Sequence, residues 1–356
     1  MIALLTLASP VRADGVRDEE WHLRYLDMAK VHQISQGDGV TVAVIDQGVD
    51  GNHPDLIGNV LPGVSLLSGH PANGWEHMGD HGIGMAAIIA GHGHGEGAGV
   101  LGIAPKAKIV PVQVSTGDTV DPDVVAAGVE AAIERKVQVI SISMSGGASP
   151  SLRTAIEHAQ SLGIVVVASV GNTPKDPDVR FPARYDGVVA VGATDQNGAH
   201  AQVSVTGPQM LVCAPGVDIE RAGSDNRYGK GTGTSDSAAI VAGVVALIRS
   251  KFPALSATEV IHRLTATATD KGPKGRDPEY GYGIVNPYAA LTADVPPPSA
   301  TASPAADASP SPSGVSQGPP SKASGKAPLA IIGALAAVAV VVAVIVIGAS
   351  VRRRGT

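Results

Sequence analysis

The chain has 356 residues, a net charge of −6 and an aromatic content of only 3%. Its globular part contains no basic run, so a nucleic-acid partner is not expected. Composition changes sharply near Val295, which predicts one globular domain with appendages. The single cysteine, Cys213, cannot form an internal disulfide and lies in an apolar stretch, so we expect a small buried side chain.

Residues 1–13 are predicted to be the end of a secretion signal. An apolar run over residues 2–8 is followed by Val11-Arg12-Ala13, a pattern that signal peptidase favours. The basic segment that usually opens such a signal is missing. Either the true start codon lies upstream, or these residues are an ordinary disordered terminus.

From Val40 onward, β-branched apolar runs alternate with helical patterns, which predicts an α/β fold with a parallel sheet. The predicted strands are 42–45, 108–114, 137–142, 164–168 and 188–192. The predicted helices are 81–90, 124–135 and 151–162. Asp121-Pro122 and Ser149-Pro150 have the residue types that begin the last two helices. We expect this α/β domain to span residues 37–293.

Four side chains along this domain suggest hydrolytic chemistry. Asp46 ends the first predicted strand, His81 opens a helix, and Ser235 opens an apolar run. A serine hydroxyl becomes a good nucleophile when an imidazole removes its proton, and a carboxylate fixes the tautomer of that imidazole. Asn172 follows the strand 164–168, at the sheet edge where functional residues gather. Its amide and the backbone N–H of Ser235 could stabilise the anionic oxygen of a tetrahedral intermediate.

A second polar cluster lies at residues 91–96, where two histidines and a glutamate alternate with glycines. Either a metal site or a flexible surface loop would fit, and the glycine-rich spacing favours the loop because it offers no preorganised geometry. Asp50, Asp55 and Asp80 lie near the catalytic positions, but aspartate is common in turns. We therefore expect no metal and no cofactor.

The C-terminal part has three predicted segments. Residues 294–328 are rich in Pro, Ser and Ala and should form a linker. Residues 329–351 carry no charge and are long enough as a helix to cross a bilayer, with a buried core helix as the alternative. The tail 352–356 begins with three arginines, which places the C-terminus in the cytoplasm. We expect a single-pass protein of the cell membrane with its catalytic domain outside.

In chain order, these motifs resemble those of the subtilisin-like serine proteases, the subtilases, over about residues 16–293. Asp46 precedes His81 by 35 residues, and His81 precedes Ser235 by 154. The order Asp, His, Ser is also the subtilisin order. The matching segments are VAVIDQGV at 42–49, HPDL at 53–56, HGIG at 81–84, AG at 90–91, GIAP at 102–105, GN at 171–172, GTS at 233–235 and VAG at 241–243.

The subtilase resemblance implies a three-layer fold, with a mostly parallel central sheet between helices, and a serine endopeptidase activity. It assigns Asp46 as the orienting acid, His81 as the general base, Ser235 as the nucleophile and Asn172 as the oxyanion donor. It also implies a cleft in which a protein or peptide substrate binds as an additional strand. The residues implied to line this cleft are Ser143, Met144, Ser145, Gly146 and Gly171.

More narrowly, the chain resembles the mycosins, membrane-anchored subtilases associated with type VII secretion in actinobacteria. The shared features are Trp21-His22-Leu23, the Pro/Ser/Ala linker and the apolar segment with a basic end. This resemblance implies the membrane and the subunits of a type VII secretion complex as further partners. Secreted subtilisins usually carry a folded propeptide, whereas residues 14–36 are implied to form an extension packed on the catalytic domain.

The residues after the nucleophile depart from the family pattern. Subtilases usually have Ala and a nearby Pro there, where this chain has Asp236 and Ala239. A carboxylate beside Ser235 would oppose a developing oxyanion. Because consecutive helix residues point about 100° apart, we expect Asp236 to face away from the site. An active endopeptidase is the leading hypothesis, and a low-activity or inactive subtilase acting mainly as a structural component of the secretion complex is the alternative.

Overall fold

The computed structural model describes residues 15–117 and 120–298. The strands are β1 Thr41–Asp46, β2 Val64–Ser65, β3 Lys108–Gln113, β4 Val139–Ile142, β5 Val165–Ser169, β6 Val189–Thr194, β7 Val212–Pro215, β8 Ile219–Ala222 and β9 Tyr228–Gly231. The helices are α1 Val16–Glu19, α2 Trp21–Tyr25, α3 Met28–Val31, α4 His81–Ala90, α5 Pro122–Glu134, α6 Pro150–Ser161, α7 Thr234–Lys251, α8 Ala257–Ala266 and α9 Pro287–Thr292.

Seven of the strands form one parallel sheet in the order β2-β3-β1-β4-β5-β6-β7. The chain adds β2 and β3 on one side of β1, and β4 to β7 on the other. The strand order therefore reverses between β1 and β4. In open α/β sheets, the crevice outside the carboxyl ends of the strands at such a point is where ligands bind. Asp46 is the last residue of β1 and so lies at this crevice.

Apolar side chains cover both faces of the sheet, because successive residues of a strand point in opposite directions. On β1, Val42 and Val44 belong to one core, and Ala43 and Ile45 belong to the other. Helices α4 and α7 contribute to the first core, and α5 and α6 contribute to the second. This arrangement confirms the predicted α/β fold with helices on both faces of a parallel sheet.

The strong local signals in the sequence match observed elements. All five predicted strands are present, as are the helices that begin at His81, after Asp121 and after Ser149. Asp121 accepts a hydrogen bond from the backbone N–H of Asp123, and Ser149 accepts one from that of Leu152. Each side chain satisfies an N–H group that has no partner within its own helix. Cys213 is buried, as predicted.

The predicted segments at the two ends fall mostly outside the described residues. These are the signal 1–13, the linker beyond residue 298, the apolar segment 329–351 and the tail 352–356. Within residues 15–117 and 120–298, no helix combines the length and the apolar character that crossing a membrane requires.

The N-terminal extension contacts the catalytic domain through specific hydrogen bonds. The guanidinium of Arg17 donates to the carbonyl oxygens of Ala98 and Gly99. The indole N–H of Trp21 lies 3.1 Å from the carbonyl oxygen of Val217. The buried carboxylate of Glu20 accepts the backbone N–H of Leu101. Helices α1 and α2 are thereby attached to residues 98–101 and to Val217 of the catalytic domain.

His22 in this extension should make the protein sensitive to acid. Its side chain is buried, and burial lowers the pKa of His22 to about 3. The unfolded chain, with an ordinary histidine pKa near 6.5, takes up this proton first, so stability is lost as the pH falls below about 6.5. We expect His22→Leu to reduce the pH dependence of the unfolding free energy by up to about 1.4 kcal/mol per pH unit between pH 6 and 4.

Urea unfolding at several pH values measures this dependence. His158→Leu is the matched control, because His158 lies on the exposed side of α6 and its removal disturbs no buried histidine. Equal pH slopes for the wild type and for His22→Leu would contradict the assignment of acid sensitivity to His22.

Candidate active site

Asp46 and His81 form a directly bonded acid and base pair. Nδ1 of His81 lies 2.9 Å from both carboxylate oxygens of Asp46, which is fully buried at the end of β1. The backbone N–H of Gln47 donates to Oδ1 of Asp46 and holds the carboxylate in place. Because a carboxylate only accepts hydrogen bonds, Nδ1 is the donor, and Nε2 is left as the basic nitrogen.

The charge state of His81 depends on opposing effects. Burial disfavours the imidazolium, but the negative charge and the hydrogen bonds of Asp46 outweigh this, and the pKa of His81 is raised above its ordinary value. His81 is the first residue of α4, and that position keeps its ring at the crevice while the helix behind it is buried.

Ser235 lies in the first turn of α7, on the wall of a cleft that it shares with His81. Its Oγ donates to the carbonyl oxygen of Ser143 at 3.1 Å, and the Ser143 hydroxyl donates back to the carbonyl oxygen of Ser235. The Ser235 hydroxyl is thus hydrogen-bonded to the backbone just after β4. A rotation about the Cα–Cβ bond of Ser235 would release Oγ from this hydrogen bond and turn it within the cleft. Catalytic hydrogen bonds often form fully only in the complex with substrate.

Asn172 is positioned as an oxyanion donor. Its Oδ1 accepts the backbone N–H of Thr234 at 2.9 Å and the Thr234 hydroxyl at 3.0 Å. The backbone N–H of Asn172 donates to the carboxylate of Asp176, which fixes the loop after β5. Since these contacts hold Oδ1, the NH₂ group remains for a ligand in the cleft. The amino end of α7, next to Asn172, adds a favourable potential for an anion.

Asn172→Leu is expected to lower kcat by about 10²–10³-fold with little change in KM, the loss measured for one oxyanion-hole donor in a subtilisin. The donor is needed only when the carbonyl oxygen becomes negative, so substrate binding is largely spared. Steady-state kinetics on a chromogenic peptide measure both constants.

Asn172→Asp is the matched control for this prediction. It keeps the oxygen that accepts from Thr234 but removes the donor, and it should be at least as impaired as Asn172→Leu. Full activity in Asn172→Asp would show that the amide donor is dispensable. Thermal unfolding of both variants separates catalytic loss from loss of fold.

The predicted substrate-binding residues are placed unevenly. Ser143, Met144, Ser145 and Gly171 line the cleft. Gly146 instead donates its backbone N–H to the carbonyl oxygen of Phe181 and is not among the cleft-lining residues described. The further lining residues, which no sequence pattern predicted, are Gln47, Ser169, Lys175, Asp176, Arg221, Thr232 and Gly233. Of these, only Gln47 and Gly233 lie within a recognised motif.

Asp236 does not face away from the site as expected. Its side chain is buried and lines the same cleft as His81 and Ser235. Oδ1 of Asp236 lies 3.4 Å from a guanidinium nitrogen of Arg221, on β8. The prediction was wrong because it was based on the geometry of α7 alone, whereas the guanidinium of Arg221, from the distant strand β8, lies beside the carboxylate.

The histidine side chains of residues 91–96 form hydrogen bonds with other parts of the protein, whereas a flexible loop was expected. Nδ1 of His94 lies 2.6 Å from the carboxylate of Asp55, and its ring stacks on Tyr228. Nε2 of His92 lies 2.9 Å from the carbonyl oxygen of Ile57. In the described part of the chain, no group of three or more His, Cys, Asp or Glu side chains is arranged to hold a metal ion.

Comparison with known proteins gives consistent results. Residues 37–283 match the family model described as the Subtilase family. Subtilisin DY of Bacillus licheniformis is 37% identical over 261 residues, covering 72% of this chain and 92% of the subtilisin.

Two solved structures are also similar. The crystal structure of MycP1 with the N-terminal propeptide removed has a TM-score of 0.71 at 32% identity and covers 78% of this chain and 98% of that one. The crystal structure of MycP1 from the ESX-1 type VII secretion system has a TM-score of 0.68 at 30% identity and covers 78% and 86%.

Proposed function

Because the chain belongs to the subtilase family and is a subtilisin-like serine endopeptidase, we propose that it acts on the outer side of the cell membrane, where it cleaves exported proteins in association with a type VII secretion system. The observation that carries this proposal is the structural similarity to MycP1 from the ESX-1 type VII secretion system.

In the proposed mechanism, His81 accepts the proton of the Ser235 hydroxyl while Oγ attacks the scissile carbonyl carbon. Asp46 keeps the proton of His81 on Nδ1 and stabilises the imidazolium. The amide of Asn172 and the backbone N–H of Ser235 donate to the resulting oxyanion. His81 then gives its proton to the leaving amine, and the peptide bond breaks. A water molecule, activated by the same imidazole, hydrolyses the acyl-enzyme.

Membrane anchoring is supported by the sequence of the C-terminal part. Residues 329–351 are long and apolar enough to span a bilayer, and Arg352 to Arg354 favour a cytoplasmic end. The proposed linker, residues 294–328, would span roughly 110 Å as an extended Pro-rich segment, at about 3.1 Å per residue. An enzyme tethered in this way would meet substrates that emerge at the membrane surface.

Comparison of three strains tests this proposal: wild type, Ser235→Ala and a deletion. We expect the full chain in the membrane fraction, with its catalytic domain digested by protease added to intact cells. Sequencing of protein N-termini in the culture medium should give ends that are present in the wild type and absent in both other strains. A chain recovered in the cytosol would contradict the localisation, and identical sets of N-termini would contradict the proposed substrates.

A structural role within the secretion complex is the second candidate. The buried carboxyl group of Asp236 beside Ser235 favours it, because a negative charge there would oppose the developing oxyanion. If secretion fails in the deletion strain but is normal in Ser235→Ala, the structural role is the main one. If secretion fails equally in both strains, the requirement is for proteolysis.

A further inference from the structure

Arg221 reaches the active-site cleft through space that two glycines leave open. A Cβ atom at Gly231 would lie 2.2 Å from Cζ of Arg221, and one at Gly84 would lie 2.8 Å from its Cδ. Gly231 ends β9, and Gly84 lies in α4, the helix that His81 begins. A side chain at either glycine would displace the arginine, so the two elements around Arg221 are shaped to admit it.

The guanidinium of Arg221 ends beside the carboxylate of Asp236. Their closest nitrogen and oxygen atoms are 3.4 Å apart, and the Asp236 side chain is only 2% exposed. Oδ1 of Asp236 has no hydrogen-bond partner in the part of the chain that the structure describes. Burial raises the pKa of Asp236, and the charge of Arg221 is the largest effect that favours its ionised form.

Several charges act on His81. Asp46 approaches it from β1, Arg221 from β8 and Asp236 from α7, while Asp80 immediately precedes it. Burial and Arg221 lower the pKa of His81, whereas Asp46 and Asp236 raise it. Lys175 and Asp176, which also line the cleft, carry opposite charges. The contributions of Arg221 and Asp236 therefore oppose each other at the imidazole.

We propose that Arg221 is a positioning residue that neutralises the buried Asp236 carboxylate beside Ser235, so that the catalytic serine and histidine can act next to an acidic residue. Arg221 acts through Asp236 and takes no part in bond making. The inference rests on the catalytic roles proposed above but not on the association with secretion. It explains how this chain can carry a carboxylate at a position where a negative charge would oppose the oxyanion.

The test uses the full chain and four variants: Arg221→Gln, Asp236→Asn, the double variant, and Arg227→Gln as the matched control. Arg227 lies in the same β8–β9 hairpin, but its side chain is 68% exposed and does not line the cleft. The rate at which a fluorophosphonate labels Ser235, and kcat/KM on a fluorogenic peptide, are measured from pH 5 to 9. A Ser235→Ala chain provides the background.

We expect Arg221→Gln to lower kcat/KM at least about tenfold at neutral pH, since an uncompensated negative charge opposes the oxyanion. The acidic limb of the pH profile should also move upward, by about half a unit or more, because His81 then binds its proton more tightly. The double variant should return to within about threefold of the wild type, because both charges are gone. Asp236→Asn alone should move the limb downward, and Arg227→Gln should match the wild type.

Arg221→Gln with wild-type kinetics, or a double variant as impaired as Arg221→Gln, would overturn the inference. If Arg221→Gln does not fold, Asp236→Asn and the double variant decide. An acidic limb that does not move in Asp236→Asn then overturns it. A wild-type chain that labels no faster than Ser235→Ala would instead overturn the proposed catalytic roles together with this inference, so the two failures are distinguishable.

Discussion

Ser235→Ala is expected to lower kcat by about six orders of magnitude, the loss measured when the nucleophile of a subtilisin is removed. Without Oγ no acyl-enzyme can form, and only the oxyanion donors and substrate binding remain to accelerate attack by water. The fold should be little affected. Among the described residues, the hydroxyl donates one hydrogen bond, to the carbonyl oxygen of Ser143, and such a bond contributes about 1 kcal/mol to stability.

The measurement is kcat on a peptide substrate, with the thermal unfolding midpoint recorded for each chain. Ser250→Ala is the control, because this serine lies near the end of the same helix, α7, and its hydroxyl bonds the carbonyl oxygen of Asp38 far from the cleft. We expect Ser250→Ala to keep wild-type activity. If Ser235→Ala retained more than about a thousandth of the wild-type kcat, a different nucleophile would have to be sought.

The positions of the acid and of the oxyanion donor were predictable because they depend on strand ends. Asp46 ends β1, and Asn172 follows β5. Parallel strands end at the same edge of a sheet, so a hydrophobic run that stops at a polar residue predicts where that residue lies. The helix start at His81 had an equally local signal, a run of small apolar residues that ends at Gly91.

The compensation of Asp236 by Arg221 was not predictable in this way. It depends on Gly84 and Gly231, which are far apart in the chain and come together only when α4 packs beside the β8–β9 hairpin. Helical geometry alone predicted that the carboxylate would point away from the site, and it could not show which cation would lie near it. A charge next to a catalytic residue must therefore be judged from tertiary contacts.

Residues 91–96 likewise show that local sequence does not predict tertiary contacts. Its alternating glycines are typical of a mobile segment, yet Asp55 and Tyr228, both distant in the chain, hold the ring of His94. Local composition indicates only the conformations that a segment would adopt in isolation. Strand β2 was missed for a related reason, since two residues give too little periodicity to predict a strand. Strands β7, β8 and β9 were not predicted either.

Asp46→Asn is expected to lower kcat by about 10⁴-fold at neutral pH, with little change in KM. In the wild type, the carboxylate of Asp46 accepts a hydrogen bond from Nδ1 of His81, with an N–O distance of 2.9 Å. An asparagine whose NH₂ group faced the ring would donate to Nδ1 and favour the tautomer with its proton on Nε2, which cannot accept the proton of Ser235.

The loss of the Asp46 charge also lowers the pKa of His81, so the acidic limb of the residual activity should move downward. Kinetics from pH 5 to 9 measure both effects, with Asp50→Asn as the matched control, because the Asp50 carboxylate accepts the backbone N–H of Asn52 and is not among the residues that line the cleft. An Asp46→Asn chain with kcat within tenfold of the wild type would contradict the role of Asp46 as the group that orients the catalytic base.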